Sequence, residues 1–149
     1  MTKIEGEITI DQPVEVVFDY VADQTNEPQY NPKMVRAEKD TAGPIGKGTQ
    51  FRSAVRSAGR TAEMLIEVVG YDRPRMLASN TTMKQMDIEY TLKFDPVAEG
   101  TRMRWSGEAR PKGGLRLLGP LVTWMGTRQE QRIWSSLKSH LESAPVGGG

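Results

Sequence analysis

Side chains that could take part in chemistry are few in this sequence. Tyr90 stands in mid-segment, where its hydroxyl could orient a ligand or donate a proton; the alternative is a core aromatic residue. Gln129 could hydrogen-bond a ligand carbonyl or hydroxyl, or else bond backbone or ordered water. His140, the only histidine, stands at the end of a helical segment, where the helix dipole stabilises a cation, so we assign it a structural role.

Two further aromatic residues could either contact a ligand or have an ordinary structural role. Trp105 could stack on a flat ligand or pack in the core. Tyr30 lies in a segment rich in asparagine and proline, and its apolar ring and polar tip suit a pocket mouth as well as a surface. A cyclase would need a general acid or base with a shifted pKa near its substrate. Strand alternation turns the acidic and basic side chains outward, so we assign no catalytic residue.

Composition excludes several classes of site. The chain has no cysteine, which removes disulfides, thiolate metal sites and cysteine nucleophiles. A single histidine excludes a multi-histidine metal site and gives poor support to a Ser-His-Asp triad. The turn TAGPIGKG lacks the glycine spacing of a phosphate loop. We therefore predict neither a metal nor a cofactor.

Charge and hydropathy limit the partners. Twenty basic and 19 acidic residues give a net charge of +1, without a basic tract, so we expect no nucleic-acid partner. The N-terminus is too polar for a signal peptide, and no run reaches the roughly 18 apolar residues of a membrane span. We therefore expect a cytoplasmic protein without stable membrane insertion. We keep a homodimer as an alternative to a monomer.

The longest helical pattern runs from Leu115 to Glu142. Its apolar stripe, within about 120° at roughly 100° per residue, predicts one face toward a core. The residues of that stripe are Leu118, Val122, Met125, Gly126, Gln129, Ile133, Ser136 and Leu137. Everything upstream is mostly strand-like, and an antiparallel sheet would cover such a helix.

The remaining elements follow from local alternation and turn residues. We predict a strand, two short helices and six further strands before the long helix. The predicted strands are Lys3 to Ile10, Met34 to Lys39, Thr49 to Ser57, Arg60 to Tyr71, Arg75 to Ser79, Met83 to Phe94 and Thr101 to Arg110. One domain over residues 1–143 is expected, with a disordered tail at 144–149.

This order and its local strings resemble the polyketide cyclase/dehydratase-like branch of the Bet v 1/START (SRPBCC) superfamily. The strings that carry the resemblance include the run from Val17 to Asp23, Tyr30-Asn31-Pro32, Gly48-Thr49, Pro74-Arg75, Gly100-Thr101-Arg102 and Leu117-Leu118-Gly119-Pro120. Asn31 stands where that family usually has tryptophan. The resemblance implies an α+β helix-grip fold, in which a curved seven-stranded antiparallel sheet grips the C-terminal helix around an apolar cavity.

Inward positions in this arrangement form the predicted ligand-binding set. They are Phe18, Tyr30, Phe51, Met64, Ile66, Met86, Ile88, Tyr90, Met103, Trp105, Leu118, Val122, Met125 and Gln129, with Ser53 as a small polar exception. We favour a noncatalytic carrier of a hydrophobic small molecule, such as a lipid, sterol or polyketide. The alternatives are a cyclase or dehydratase using Tyr90 or Gln129 on a carbonyl, and a closed-pocket protein-interaction module.

Overall fold

The computed structural model describes residues 2–57, 59–84, 86–112 and 119–143. Its strands are β1 (Thr2–Ile10), β2 (Met34–Lys39), β3 (Gln50–Ser57), β4 (Arg60–Asp72), β5 (Met76–Met83), β6 (Met86–Val97) and β7 (Gly100–Pro111). Its helices are α1 (Val14–Ala22), a 3₁₀ helix (Gln24–Gln29) and α2 (Gly119–Ser143). The element order is the predicted one, with the two short helices between β1 and β2.

The seven strands form one antiparallel sheet in the order β1-β7-β6-β5-β4-β3-β2. The first strand pairs with the last, and consecutive strands from β2 to β7 pair through hairpins, so the two edges are β1 and β2. Helix α2 packs against β1 and lies across the concave side. This arrangement confirms the predicted helix-grip fold.

Strand boundaries were predicted least well in the middle of the sheet. We expected β5 to end at Ser79, but it continues to Met83 through the polar run Asn80-Thr81-Thr82. Strand β6 begins at Met86 and runs to Val97. The residues Asn80, Thr81 and Thr82 are all polar, so they show no alternation of apolar and polar side chains. Backbone hydrogen bonds to β4 and β6 keep this part of β5 in the sheet.

The start of α1 has no side-chain cap. The residue before its first turn is Pro13, and Asp11 does not cap the helix. Asp11 instead donates its backbone amide to Glu142 Oε2 at 2.8 Å, and the Gln12 side-chain amide donates to the Leu141 carbonyl at 2.6 Å. The β1–α1 connection therefore ties the C-terminal end of α2 to the sheet.

The core lies between the concave face of the sheet, α1 and the second half of α2. Phe18 packs edge-to-face against Phe94 and Tyr71, with ring centroids 5.2 and 5.3 Å apart. Leu137 of α2 is fully buried in the same hydrophobic cluster. The predicted disordered tail at 144–149 lies outside the described residues.

Candidate functional site

Most of the predicted ligand-binding residues lie on the concave side of the structure. Six are buried: Phe18, Tyr30, Phe51, Ile66, Met103 and Trp105. Four are partly buried, all of them on β4 and β6: Met64, Met86, Ile88 and Tyr90. The strand register places Met64 beside Met83, and Ile88 beside Thr81 and Ala109, so the central part of the concave face is mainly apolar with small polar side chains from β5.

The predicted inward position of Gln129 is wrong, because this side chain is exposed. The covered face of α2 instead contains Glu130, the residue after Gln129. Its members include the partly buried Glu130 and Ile133 and the buried Trp134, Leu137 and Leu141. One residue rotates a helix by about 100°. The large Trp134 indole, which the predicted stripe omitted, lies on the covered side and places Glu130 one turn before it on the same face.

Three further members of the predicted set belong to the first part of the long helix. Leu118 lies outside the described residues. Val122 and Met125 lie within α2, but their side chains are outside the described part of the structure. Their assignment to the ligand site therefore stays a prediction.

A chain of hydrogen bonds crosses from the sheet to α2. The Trp134 indole N–H donates to the Tyr90 hydroxyl at 3.0 Å, and that hydroxyl donates to Glu130 Oε2 at 2.6 Å. Both donors point toward Glu130, so the chain ends on a carboxylate oxygen that acts as acceptor. Hydrogen bonds of this charge-assisted kind are short and strong.

The position of the Tyr90 ring depends on the neighbouring strand β7. Tyr90 faces inward on β6, and its cross-strand partners are Ser79 on β5 and Gly107 on β7. A Cβ atom at Gly107 would lie 2.9 Å from Tyr90 Cδ2, closer than carbon atoms pack. The absence of a side chain at Gly107 therefore lets the ring lie where its hydroxyl reaches Glu130.

A second carboxylate approaches from the 3₁₀ helix. Glu27 Oε2 accepts a hydrogen bond from Asn31 Nδ2 at 2.8 Å. Burial raises the pKa of Glu27 to about 7; the Asn31 hydrogen bond opposes this rise and the charge of Glu130 adds to it. Asn31 thus holds one of the two acids.

Burial also raises the pKa values of the other titratable groups of the site. Burial raises the pKa of Glu130, against the hydrogen bonds from Tyr90 and Trp134. Burial first, and then the Glu130 carboxylate, raise the pKa of the Tyr90 hydroxyl well above its usual value. Burial and the Glu27 charge do the same to the pKa of Tyr30. The tyrosines are therefore neutral hydrogen-bond donors at physiological pH.

Aromatic rings surround these acids. The centre of the Trp134 ring lies 6.0 Å from that of Trp105, 6.2 Å from that of Tyr30 and 6.4 Å from that of Tyr90. We call this group the Glu–aromatic cluster; its members are Glu27, Tyr30, Tyr90, Trp105, Glu130 and Trp134. It combines two acids with four aromatic side chains on the side of the sheet that α2 covers.

Sequence reasoning missed both glutamates. The alternation argument asked only which strand residues face inward. It found Tyr90, but a register shift in β4 between Val68 and Gly70 also turns the Tyr71 ring inward against Phe18. Glu27 and Glu130 come from helices instead. A signal existed in the helical phase, because Glu130 lies four residues before Trp134.

Ser53 is a further polar group on the concave face, where Ser79 and Thr81 also lie beside inward residues. Ser53 is fully buried on β3, beside Ala37 and Met64, and its Oγ has no hydrogen-bond partner among the described residues. Buried hydroxyls are normally hydrogen-bonded. This side chain is therefore a candidate contact for a bound molecule.

Other features lie apart from the cluster. An open cleft of about 700 Å³ lies near the start of α1 and includes Pro13, Pro74 and Gly100, but no predicted site residue. His140 pairs with the Tyr20 ring at 5.5 Å, near the end of α2. Within the described ranges, no helix is long and apolar enough to cross a membrane.

The architecture and site define the class first: a helix-grip protein with an apolar concave face and one acidic, aromatic cluster. Solved structures share the fold. A START superfamily protein from Mycobacterium smegmatis superposes with a TM-score of 0.84 at 15% identity, covering 97% of this chain and 100% of that one. The protein TTHA0849 from Thermus thermophilus gives a TM-score of 0.82 at 20% identity, covering 97% and 99% of the two chains.

An enzyme is also among these similar structures. The Zhui aromatase/cyclase from Streptomyces sp. R1128 superposes with a TM-score of 0.82 at 14% identity, covering 99% of this chain and 98% of that one. A search of curated proteins gives no match. The family described as polyketide cyclase/dehydrase and lipid transport matches residues 1–142. The chain belongs to this family, which supports a ligand-binding or cyclase role.

Proposed function

We propose that this protein binds a hydrophobic small molecule with a polar group, held between the concave face of the sheet and α2. The supporting observation is the contrast on that face: methionine, isoleucine and aromatic side chains surround a single acidic cluster. Burial of apolar ligand surface would contribute roughly 25 cal/mol per Å². The Tyr90–Glu130 pair would orient the polar end, as a few polar groups do in most ligand pockets.

The first test is to identify a ligand. Native mass spectrometry of protein from its own host, followed by organic extraction, should reveal a stoichiometric apolar compound. A thermal-shift panel of fatty acids, sterols and aromatic polyketides should give at least one stabilising compound, because a ligand that binds only the folded state raises its stability. A protein that retains nothing and responds to no panel member would instead favour the closed-pocket interaction module.

The role of the Tyr90 hydroxyl can be tested with the most stabilising panel compound. Tyr90→Phe should weaken its binding about 5- to 10-fold, the usual effect of removing one hydrogen bond. Tyr71→Phe is the matched control, because that ring packs against Phe18 in the core. Equal affinity in the wild type and in Tyr90→Phe would remove Tyr90 from the proposed site.

A second candidate function is favoured by the two carboxyl groups. In a dehydration, the Glu130 carboxylate would accept the proton next to a substrate carbonyl as the new double bond forms. The carbon–oxygen bond of the β-hydroxyl would break, and the departing oxygen would take the proton of Glu27 and leave as water. A general base and a general acid with raised pKa values suit these two roles.

This second function has a direct assay. The β-hydroxyketone 4-hydroxy-4-phenylbutan-2-one should be converted to its conjugated enone, followed by absorbance. Glu130→Gln and Glu27→Gln should each lower the rate at least about 100-fold, the usual contribution of a positioned acid or base. Glu67→Gln, an acid on the outer face of β4, should leave the rate unchanged. A wild-type rate equal to buffer for this probe and for aromatic polyketide analogues would leave binding as the function.

A further inference from the structure

We propose that the ligand carries a cationic amine, which the carboxylates of Glu27 and Glu130 bind among the aromatic rings of the cluster. This inference rests on the proposed binding function and names the chemical class of the ligand's polar group. It is carried by three features of the site: the charge of its acids, the identity of its rings and a separate unpartnered hydroxyl.

The first feature is the negative charge of the two acids. Ion pairs between described residues join exposed side chains on the outer surface and at the ends of the molecule, and none includes Glu27 or Glu130. Among the described residues, the groups that hydrogen-bond these acids are the neutral side chains of Asn31, Tyr90 and Trp134. Both carboxyl groups are used as acceptors. Buried carboxylates without a cation are unfavourable, so a positively charged ligand group would complement them.

The second feature is the set of rings around the acids. Trp134 lies at the centre, and its ring centre is 6.0 to 6.4 Å from those of Tyr30, Tyr90 and Trp105. The face of an aromatic ring attracts a cation, and tryptophan does so most strongly. Rings and carboxylates together recognise an alkylammonium group, since the rings contact its carbon atoms and the carboxylates its charge.

The third feature is independent of the acids. Ser53, on the same concave face, is fully buried and its Oγ lacks a partner among the described residues. Its strand also contributes Phe51, which belongs to the same buried cluster as Tyr30 and Trp134. An unpartnered buried hydroxyl could donate a hydrogen bond to a bound molecule or accept one from it, so it supports a ligand contact on this face.

Three ten-carbon probes that differ only in their polar end test the inference: decylamine, 1-decanol and decanoate, titrated calorimetrically at pH 7.5. The wild type should bind decylamine at least about tenfold more tightly than 1-decanol, a factor within the range of one desolvated cation–π contact plus a charge-assisted hydrogen bond. Decanoate should bind most weakly, because the two carboxylates repel it.

Variants test which residues cause the preference for decylamine over 1-decanol. Glu27→Gln and Glu130→Gln should each reduce the ratio of amine to alcohol affinity, and the double variant should bring it near one. Glu67→Gln makes the same chemical change on the outer face and should keep the wild-type ratio.

The outcomes separate the inference from the function on which it rests. Equal or tighter binding of 1-decanol or decanoate by the wild type would overturn the amine and leave hydrophobic ligand binding intact. An amine preference that persists in the double variant would overturn the role of these acids. Failure of all three probes, together with an empty thermal-shift panel, would overturn both.

Discussion

At the scale of single residues, the site depends on which side chain can accept the last hydrogen bond of a buried chain. Trp134 and Tyr90 both donate toward Glu130, so a side chain that is only a donor could not end the chain there. Glutamine could accept, but without a negative charge to complement a cation. The identity of residue 130 therefore decides whether this hydrogen-bond chain ends on a charged group.

Glu27 makes folding stability depend on pH. Its pKa is about 7 in the folded protein, above the ordinary value of 4.5, so the unfolded chain loses this proton first as pH rises. The stabilising contribution is complete below pH 4.5 and is lost as pH rises to about 7. Glu27→Gln should match the wild type at about pH 4.5 and be more stable by about 1 to 3 kcal/mol at about pH 8.

Urea unfolding at pH 4.5, 6 and 8 measures this difference. Glutamine can still accept the Asn31 hydrogen bond, so the comparison isolates the charge that Glu130 and burial oppose. Glu67→Gln on the exposed outer face should follow the wild type at every pH. A constant difference between Glu27→Gln and the wild type across the range would contradict a raised pKa.

At the scale of elements, strands supply the apolar wall and helices supply the charge. Inward positions of β4 and β6 include methionine, isoleucine and tyrosine, whereas the 3₁₀ helix and α2 each contribute one glutamate to the site. A strand that carried a charge inward would place it against the hydrophobic core. A helix at the rim can present one carboxylate to the interior while its other face meets solvent.

The pairing of β6 with β7 positions Tyr90, and Gly107 tests that pairing. A Cβ at Gly107 would lie 2.9 Å from Tyr90 Cδ2 and 3.1 Å from Cε2, so Gly107→Ala should displace the ring from Glu130. Overpacking of this kind costs about 1 to 3 kcal/mol. Affinity for the best panel compound should fall along with stability, as measured by calorimetry and urea unfolding.

Gly46→Ala is the matched control, because a Cβ there meets nothing within 4 Å. Its stability should stay within about 0.5 kcal/mol of the wild type. If Gly107→Ala keeps both wild-type stability and wild-type affinity, the glycine does not hold the ring.

At the scale of the whole molecule, the position of α2 on the sheet decides whether the Glu–aromatic cluster exists. The second half of the helix is anchored by Trp134, Leu137 and Leu141, and its end is tied to the β1–α1 connection by Gln12. These contacts fix both the rotation of the helix and its distance from Tyr90. We therefore expect the proposed ligand binding to be coupled to the docking of α2.

Leu137→Ala should lower the free energy of unfolding by about 2 to 5 kcal/mol, because the side chain is fully buried and its removal leaves a cavity. Ser135→Ala, on the exposed side of the same helix, should change it by less than about 0.5 kcal/mol. Urea unfolding followed by tryptophan fluorescence measures both. A small effect of Leu137→Ala would mean that α2 is held chiefly by other contacts.

The sequence by itself determined the strands, their inward faces and the long helix. Alternation along a strand is a local property, since neighbouring side chains point to opposite faces whatever the partner strand is. Inward positions from Phe51 to Trp105 were therefore predictable, as was the element order. The polar middle of β5 was not, because ladder hydrogen bonds rather than alternation sustain it.

Only the tertiary structure decided which acids face the interior. Tyr90 and Glu130 are 40 residues apart in the chain, and Glu27 comes from a 3₁₀ helix without strand alternation. The predicted stripe of α2 included the covered residue Leu137, but it contained Gln129 in place of Glu130 and omitted Trp134; the rotation of the helix on the sheet decides between these positions. That rotation is set by the fit of Trp134 against the sheet, a contact between distant segments that no local pattern records.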